Sequence, residues 1–234
     1  MDRQTRKDLK TDKFAVEAGH AFEFLTEHPD DVKRYAAIAL AVVILIGGIY
    51  FYRSHQATAR QEALAQAMKL DDAVISNNPV PPNLTFKTQE EKDQARNKAF
   101  SDLASKYSGS REGAIGAIYM ASTAADKGKM PEAEKLYKDV VDSAPSDYAS
   151  LASLSLAHVY ASEGKMADAE KVLRDLIKNP TTLVSKEEAS LELADILSKS
   201  NPTEARKILE PLRIGRSAVS RVAVSMLGNL PQNN

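Results

Sequence analysis

The sequence predicts an all-α protein: one transmembrane helix followed by an α-solenoid of helical hairpins. Two observations carry this expectation. Residues 35–52 form an apolar run without a charge, a Pro, an Asn or a Gln. Further on, an eight-residue motif returns after thirty-six residues with a helical pattern on either side of each copy. Charge adds an exclusion. The first 34 residues hold 7 Lys/Arg and 8 Asp/Glu, and the remainder holds 24 of each sign, so no basic patch calls for nucleic acid.

Residues 1–34 read as a leader. Residues 1–13 are charged and lack an apolar period. Phe14, Ala18, Ala21, Phe22 and Leu25 then fall on one face of a short amphipathic helix that Thr11 can cap and His28-Pro29 ends. Two readings stay open for it: an interfacial helix on the inner leaflet, or a frayed helix without a role.

Residues 35–52 are the span. Eighteen residues at about 1.5 Å each reach roughly 27 Å, close to the hydrocarbon thickness of a bilayer. Lys33 and Arg34 mark one end and Arg53 the other, with Tyr35 and Tyr50-Phe51-Tyr52 at headgroup level. A cleaved signal peptide is the competing reading, because Ala57-Thr58-Ala59 has the A-x-A form. Such a peptide has a short basic leader and an apolar run of about 7–15 residues, unlike this one. A buried core helix is a second competitor, but the rest of the chain is not apolar enough to surround it. Gly47-Gly48 hints at a close membrane partner, although no G-x-x-x-G forms. The flanking charges are nearly even, and a short leader staying behind is the simpler insertion. The expected topology is therefore cytoplasmic N-terminus, single pass, C-terminal domain across the membrane.

Residues 53–76 continue without Gly or Pro and read as a helical stalk; residues 77–87, with Pro79, Pro81 and Pro82, read as an extended Pro-rich linker. Residues 88–229 read as the repeat domain, and 230–234 as a tail. The pair Thr88 and Glu91 starts a helix as a capping box, and Ser108-Gly109-Ser110 ends it.

Gly128-Lys129-Met130-Pro131-Glu132-Ala133-Glu134-Lys135 returns as Gly164-Lys165-Met166-Ala167-Asp168-Ala169-Glu170-Lys171. Each Gly joins two helical stretches, 115–127 to 131–143 and 148–163 to 167–178, so the unit is a hairpin. A third copy has Asn201-Pro202-Thr203-Glu204-Ala205 at the turn, with Asn201 as cap. Ala133, Ala169 and Ala205 stand thirty-six apart, and Phe100 precedes Tyr137 by thirty-seven. The stretch 88–107 thus looks like the second helix of an earlier unit with the stalk as its partner. Near the end, Pro211 cuts a helix short, and Val219, Val222, Ala223 and Met226 give a capping helix one apolar face.

This two-helix unit resembles the tetratricopeptide repeat. Ala133, Tyr137 and Pro145 match its small, aromatic and terminal Pro positions, and Leu156, Ala157, Tyr160 and Ala169 match in the next copy. There is no Trp, Leu173 stands where an aromatic is usual, and the third turn lacks Gly. The predicted fold is accordingly a transmembrane helix followed by a tetratricopeptide-like α-solenoid.

Chemistry for catalysis is missing from the pattern. With no Cys there is no disulfide, thiolate metal site, Cys nucleophile or N-terminal lipid anchor. His20, His28, His55 and His158 are scattered, and no H-E-x-x-H, phosphate loop or Ser elbow occurs. No enzyme activity, cofactor or metal is expected. What the array offers is a groove lined by first helices. Its expected lining is Ile115, Ile118, Ser122 and Asp126 in one unit, and Leu151, Leu154, Ser155, His158 and Ser162 in the next. Core packing is an equal reading for Ile118, Leu151 and Leu154. The mix of apolar and small polar groups suits an extended or helical polypeptide.

Leader, span, stalk and hairpins in that order resemble the YfgM-like family, the ancillary subunit of the bacterial SecYEG translocon. The residues that carry this are the aromatics running into Arg53-Ser54-His55-Gln56 and the helix Tyr148-Ala149-Ser150-Leu151-Ala152-Ser153-Leu154-Ser155-Leu156-Ala157. The resemblance implies an inner-membrane protein with a periplasmic domain beside the translocon, passing client polypeptides to periplasmic chaperones. A scaffold for cell-division or envelope-assembly machinery is the alternative, and an enzyme whose site is completed by another chain is a third class.

Overall fold

The structure is a computed structural model that describes residues 29–215 and 217–231. The expected helix at residues 14–25, with its Thr11 cap, lies outside the described residues. The chain divides into two compact units, Met1–Thr58 and Ala59–Asn234. Helix α1 (Pro29–Asp71) contributes residues to both.

In the first unit, the described side chains from Lys33 to His55 are all exposed, including Val43, Ile44 and Leu45 at 63–65 %. Apolar side chains left bare on every face of a helix are what a lipid environment requires. α1 is long and apolar enough to cross a membrane, and it is not the core helix that the sequence left as a competitor.

The second unit begins with the last turns of α1. The helix stops at Asp71, short of the expected Ser76, because the next residues are taken into β pairing. Strand β1 (Val74–Ile75) runs parallel to β2 (Thr85–Phe86), with Val74 N–H donating to Leu84 O at 2.8 Å and Ser76 N–H to Phe86 O at 2.9 Å. Extended backbone at 74–76 is incompatible with a helix. The Pro-rich stretch is thus a closed loop whose ends meet, not the extended linker expected. Inside it, Asn83 N–H donates to Val80 O and Val80 N–H to Thr85 Oγ1.

Helices α2 (Gln89–Lys106), α3 (Arg111–Asp126), α4 (Met130–Ser143), α5 (Ser146–Ser162), α6 (Met166–Lys178), α7 (Lys186–Ser200) and α8 (Pro202–Leu209) follow. A 3-10 turn (Glu210–Arg213) and α9 (Ala218–Asn229) complete the chain. From α2 to α8 each helix packs mainly against its sequence neighbours, the mark of a solenoid. Thr88 starts α2 by accepting from Glu91 N–H, while the Glu91 carboxylate accepts from Lys87 N–H. Ala67 of α1 packs with Phe100 and Leu103 of α2, so the end of α1 supplies α2 with a packing partner. Arg60 reaches the buried Glu112 of α3 at 3.2 Å, and Arg96 reaches Asp71 at 3.1 Å. Phe100 stacks on Tyr119 with centroids 3.8 Å apart. Gly116 makes this contact possible, since a Cβ there would sit 2.7 Å from Phe100 O.

The repeat positions are packing positions. Ala133, Ala169 and Ala205 are each fully buried, and four residues on Leu173 and Leu209 are fully buried too, with Tyr137 at 5 % exposure. A methyl group at the helix contact lets two helices approach, and the larger side chain one turn later fills the space beside it. Gly128 and Gly164 join the hairpins with φ of 73° and 76°, the left-handed region that glycine enters without steric cost. After each turn, Lys129 N–H donates to Ala124 O and Lys165 N–H to Tyr160 O, closing the helix end. α9 covers the 3-10 turn, α7 and α8. Its buried stripe is Ser220, Ala223 and Leu230 with Val219, Met226 and Leu227 half-buried; Val222, expected on that stripe, is 46 % exposed. Ser217 caps α9 and exchanges hydrogen bonds with Ser220, and Val222, turned about 100° around the helix from buried Ala223, lies outside the stripe.

Candidate functional site

α5 has neighbours on both sides, so its exposed strip is narrow. Ser150, Ala152, Leu154, Leu156, Ala157, Val159 and Tyr160 are buried, which leaves Leu151, Ser155, His158 and Ser162 along one helical line. Of the α5 residues expected to face the groove, Leu151, Ser155, His158 and Ser162 lie on that line and Leu154 does not. At one residue from Ser155, Leu154 is turned by about 100° around the helix, into the core, where it is 8 % exposed. Ile118 and Leu151 are half-buried and pack against the same core. Ile115 is half-buried on α3, away from the cavity described next.

Ser122, Asp126, Ser155, His158 and Ser162 come together around an open cavity of about 400 Å³ between α3, α4 and α5. Its remaining lining is Ala125, Met130, Tyr137 and Val159. Tyr137, on the second helix of its hairpin, supplies the floor. Its hydroxyl lies beside Ser155 and Ser122, and burial pushes its phenol above the ordinary value, so it keeps its proton. Ser155 Oγ in turn donates to Leu151 O at 3.2 Å. Ser162 Oγ donates to Val159 O at 2.8 Å and lies 3.7 Å from the Met130 sulfur.

His158 stands on the wall toward α7, where its Nε2 meets Glu192 Oε2 at 2.9 Å. This hydrogen bond raises the His158 pKa, with Asp195 adding to it, and lowers that of Glu192. Asp126, the last residue of α3, is exposed and makes no ion pair among the described residues. Glu192 was not legible as a member of this site, because its pairing with His158 spans thirty-four residues and so falls outside the thirty-six-residue repeat. Tyr137 and Met130 were legible as repeat positions but not as cavity lining, since both lie on or just before the second helix rather than the first.

A larger hollow of about 560 Å³ runs along α6 between the long side chains of Glu170, Lys171, Arg174, Asp175 and Lys178. It is a solvated charged face: Arg174 bridges Glu170 and Glu204, tying α6 to α8. On the neighbouring hairpin Glu134 receives both Lys138 and Lys165, which hold its carboxyl down at about 2. Among the described residues no three His, Asp or Glu gather as metal ligands would.

A family model described as a tetratricopeptide repeat-like domain matches residues 32–178. The match therefore runs from the foot of the apolar helix to the last residue of α6, through the whole cavity. Neither curated proteins nor solved structures give a match.

Proposed function

Because the chain belongs to the tetratricopeptide repeat-like family, we propose that it is a membrane-anchored protein-interaction module in which the face of α3, α5 and α7 receives a partner polypeptide. The observation that carries this is the gathering of Ser122, Asp126, Ser155, His158 and Ser162 around one open cavity, in a chain that also holds a helix able to cross a membrane. Hydroxyls, a thioether and a tyrosine on a preformed wall suit backbone and mixed side chains better than a chemical step. Such a groove binds; it does not need to react.

In more specific form, the protein is an accessory of the SecYEG translocon in the bacterial inner membrane. Its array stands in the periplasm, where it links emerging client polypeptides to a periplasmic chaperone. The resemblance in residue order along leader, span and hairpins supports this reading. No cofactor takes part. Mild-detergent co-purification of the tagged full chain after cross-linking in its own membrane tests it. Translocon subunits and a periplasmic chaperone among the enriched proteins are expected; cell-division or envelope-assembly proteins alone would replace the translocon assignment with the scaffold reading.

Topology has a direct test, because the chain contains no Cys and a single introduced thiol is unambiguous. Gln89→Cys, on the exposed start of α2, is expected to react with a membrane-impermeant maleimide in cells with a permeabilised outer membrane, and Gln4→Cys is not. The opposite pattern would place the array in the cytoplasm.

A further inference from the structure

Carboxylates predominate around the cavity, with His158 as the basic group of its lining. Asp126 forms part of its wall and carries no counter-ion among the described residues, while Glu192 and Asp195 stand on α7 beyond His158. Lys129 and Lys165, which follow the two turn glycines, are engaged elsewhere. Lys129 pairs with Glu132 at 3.2 Å, and Lys165 pairs with Glu134 at 2.7 Å and Glu163 at 3.0 Å. Lys127, next to Asp126, is not part of the lining. Among the described residues His158 is the one basic group lining the cavity, and it is held by Glu192.

Below this acidic wall the cavity is lined by apolar and soft groups: Ala125, Val159, the Met130 thioether and the Tyr137 ring. A long cationic side chain matches both halves. Its methylene stem packs on the apolar wall while its charged head meets the carboxylate, the division of labour that lysine and arginine adopt at surfaces. An acidic side chain or a free C-terminal carboxylate meets Asp126, Glu192 and Asp195 with the wrong sign, and like charges brought together suppress a wrong partner.

We propose that this cavity reads a lysine or arginine side chain on the bound polypeptide, with Asp126 as the principal counter-charge and Glu192 and Asp195 as an outer rim. The inference rests on the reading that the groove holds polypeptide, and it adds the chemistry of the segment selected.

The test uses the full chain in a non-ionic detergent and a set of matched fluorescent peptides. They are identical except that every lysine in one is glutamine in the second and glutamate in the third. Anisotropy titration at low salt is expected to show the lysine peptide binding about tenfold more tightly than the glutamine peptide, with the glutamate peptide weakest, and the advantage shrinking as salt screens it. Asp126→Asn keeps the shape of an exposed side chain, and is expected to bring the lysine peptide close to the glutamine peptide. Glu192→Gln with Asp195→Asn is expected to have a smaller effect of the same direction. Unchanged helical content in each variant confirms that the array is folded.

Equal binding of the lysine and glutamine peptides overturns the inference and leaves the proposed function standing, as does a glutamate peptide that binds best. Binding by none of the peptides, with cross-linking still capturing partners, overturns it too and moves the contact to another face. Absence of both peptide binding and captured partners removes the interaction reading together with the inference.

Discussion

The second and third hairpins share their packing positions and differ in the turn that joins their helices. In α5–α6, Gly164 enters the left-handed region and Lys165 N–H reaches back to Tyr160 O. In α7–α8, Asn201 replaces that turn with an extended φ of −144°. Its N–H donates to Leu197 O, while its side chain accepts from Glu204 N–H and donates to the Glu204 carboxylate. One residue thus ends α7 and begins α8. Yet Ala169 and Ala205 are equally buried, as are Leu173 and Leu209. The repeat is defined by the side chains that touch, and two different turn chemistries deliver them to the same places.

The largest way to break this equivalence is to remove the buried leucines. Leu173→Ala and Leu209→Ala each leave a cavity where a fully buried side chain was, and each is expected to cost about 2–5 kcal/mol. Their reach should differ. In a solenoid, stability is a sum of units and neighbour contacts. Leu209→Ala is expected to speed amide hydrogen exchange in α7, α8 and α9 while leaving α3 protected. Leu173→Ala, in the interior, is expected to speed exchange on both sides of α6. Equal loss of protection in α3 for both variants would mean that the array unfolds as one block.

The turns give a smaller effect. A Cβ at residue 164 meets nothing within 4 Å, so Gly164→Ala isolates the backbone cost of a left-handed φ, about 1–2 kcal/mol. Asn201→Gly should cost only a few tenths of a kcal/mol, because residue 201 needs a cap and not a left-handed backbone, whereas Asn201→Ala should cost about 1 kcal/mol. Denaturant midpoints rank the variants. A larger loss for Asn201→Gly than for Gly164→Ala would contradict the distinction between the turns.

How far the sequence could be read follows from the same distinction. Ala133, Ala169, Ala205, Tyr137 and the Gly128 and Gly164 turns were legible because a repeated packing problem writes a repeated pattern. The cap of α2 was legible because Thr88 and Glu91 carry their own hydrogen bonds. What escaped lies between repeats. Parallel pairing of Val74–Ile75 with Thr85–Phe86 involves too few residues to show a period, so the stalk seemed to run on and the loop seemed extended. Leu154 and Ser155 are adjacent in sequence, and only the neighbours of α5 on both sides decide which one is buried. The Ser217 and Ser220 exchange that caps α9 is a local feature invisible to apolar spacing. Five of the polar positions read onto the groove do line one cavity; the His158 to Glu192 pairing that completes its wall required the third hairpin in place.

That pairing also gives the smallest prediction. Two bridges cross from the second hairpin to the third: His158 to Glu192 between α5 and α7, and Arg174 to Glu204 between α6 and α8. They differ in what titrates. The folded pKa of His158 lies above its ordinary 6.5, so its stabilising effect is fully present below 6.5 and is lost as pH rises through the folded value. Glu192 lies below its ordinary 4.5, so its share is present above 4.5 and is lost as pH falls through the folded value. The bridge is therefore complete between those two ordinary values, with Glu192 and Asp195 as the charged groups that act on the ring from α7. Arg174 stays charged throughout this range. Glu192→Gln is expected to lower the melting temperature more at pH 6 than at pH well above 8, and Glu204→Gln by a similar amount at both. Both pairs are partly exposed, which limits each effect to about 0.5 kcal/mol and the shift to about 2 °C. A pH-dependent loss for Glu204→Gln equal to that for Glu192→Gln would show that the titration belongs to the array as a whole and not to the histidine on its groove.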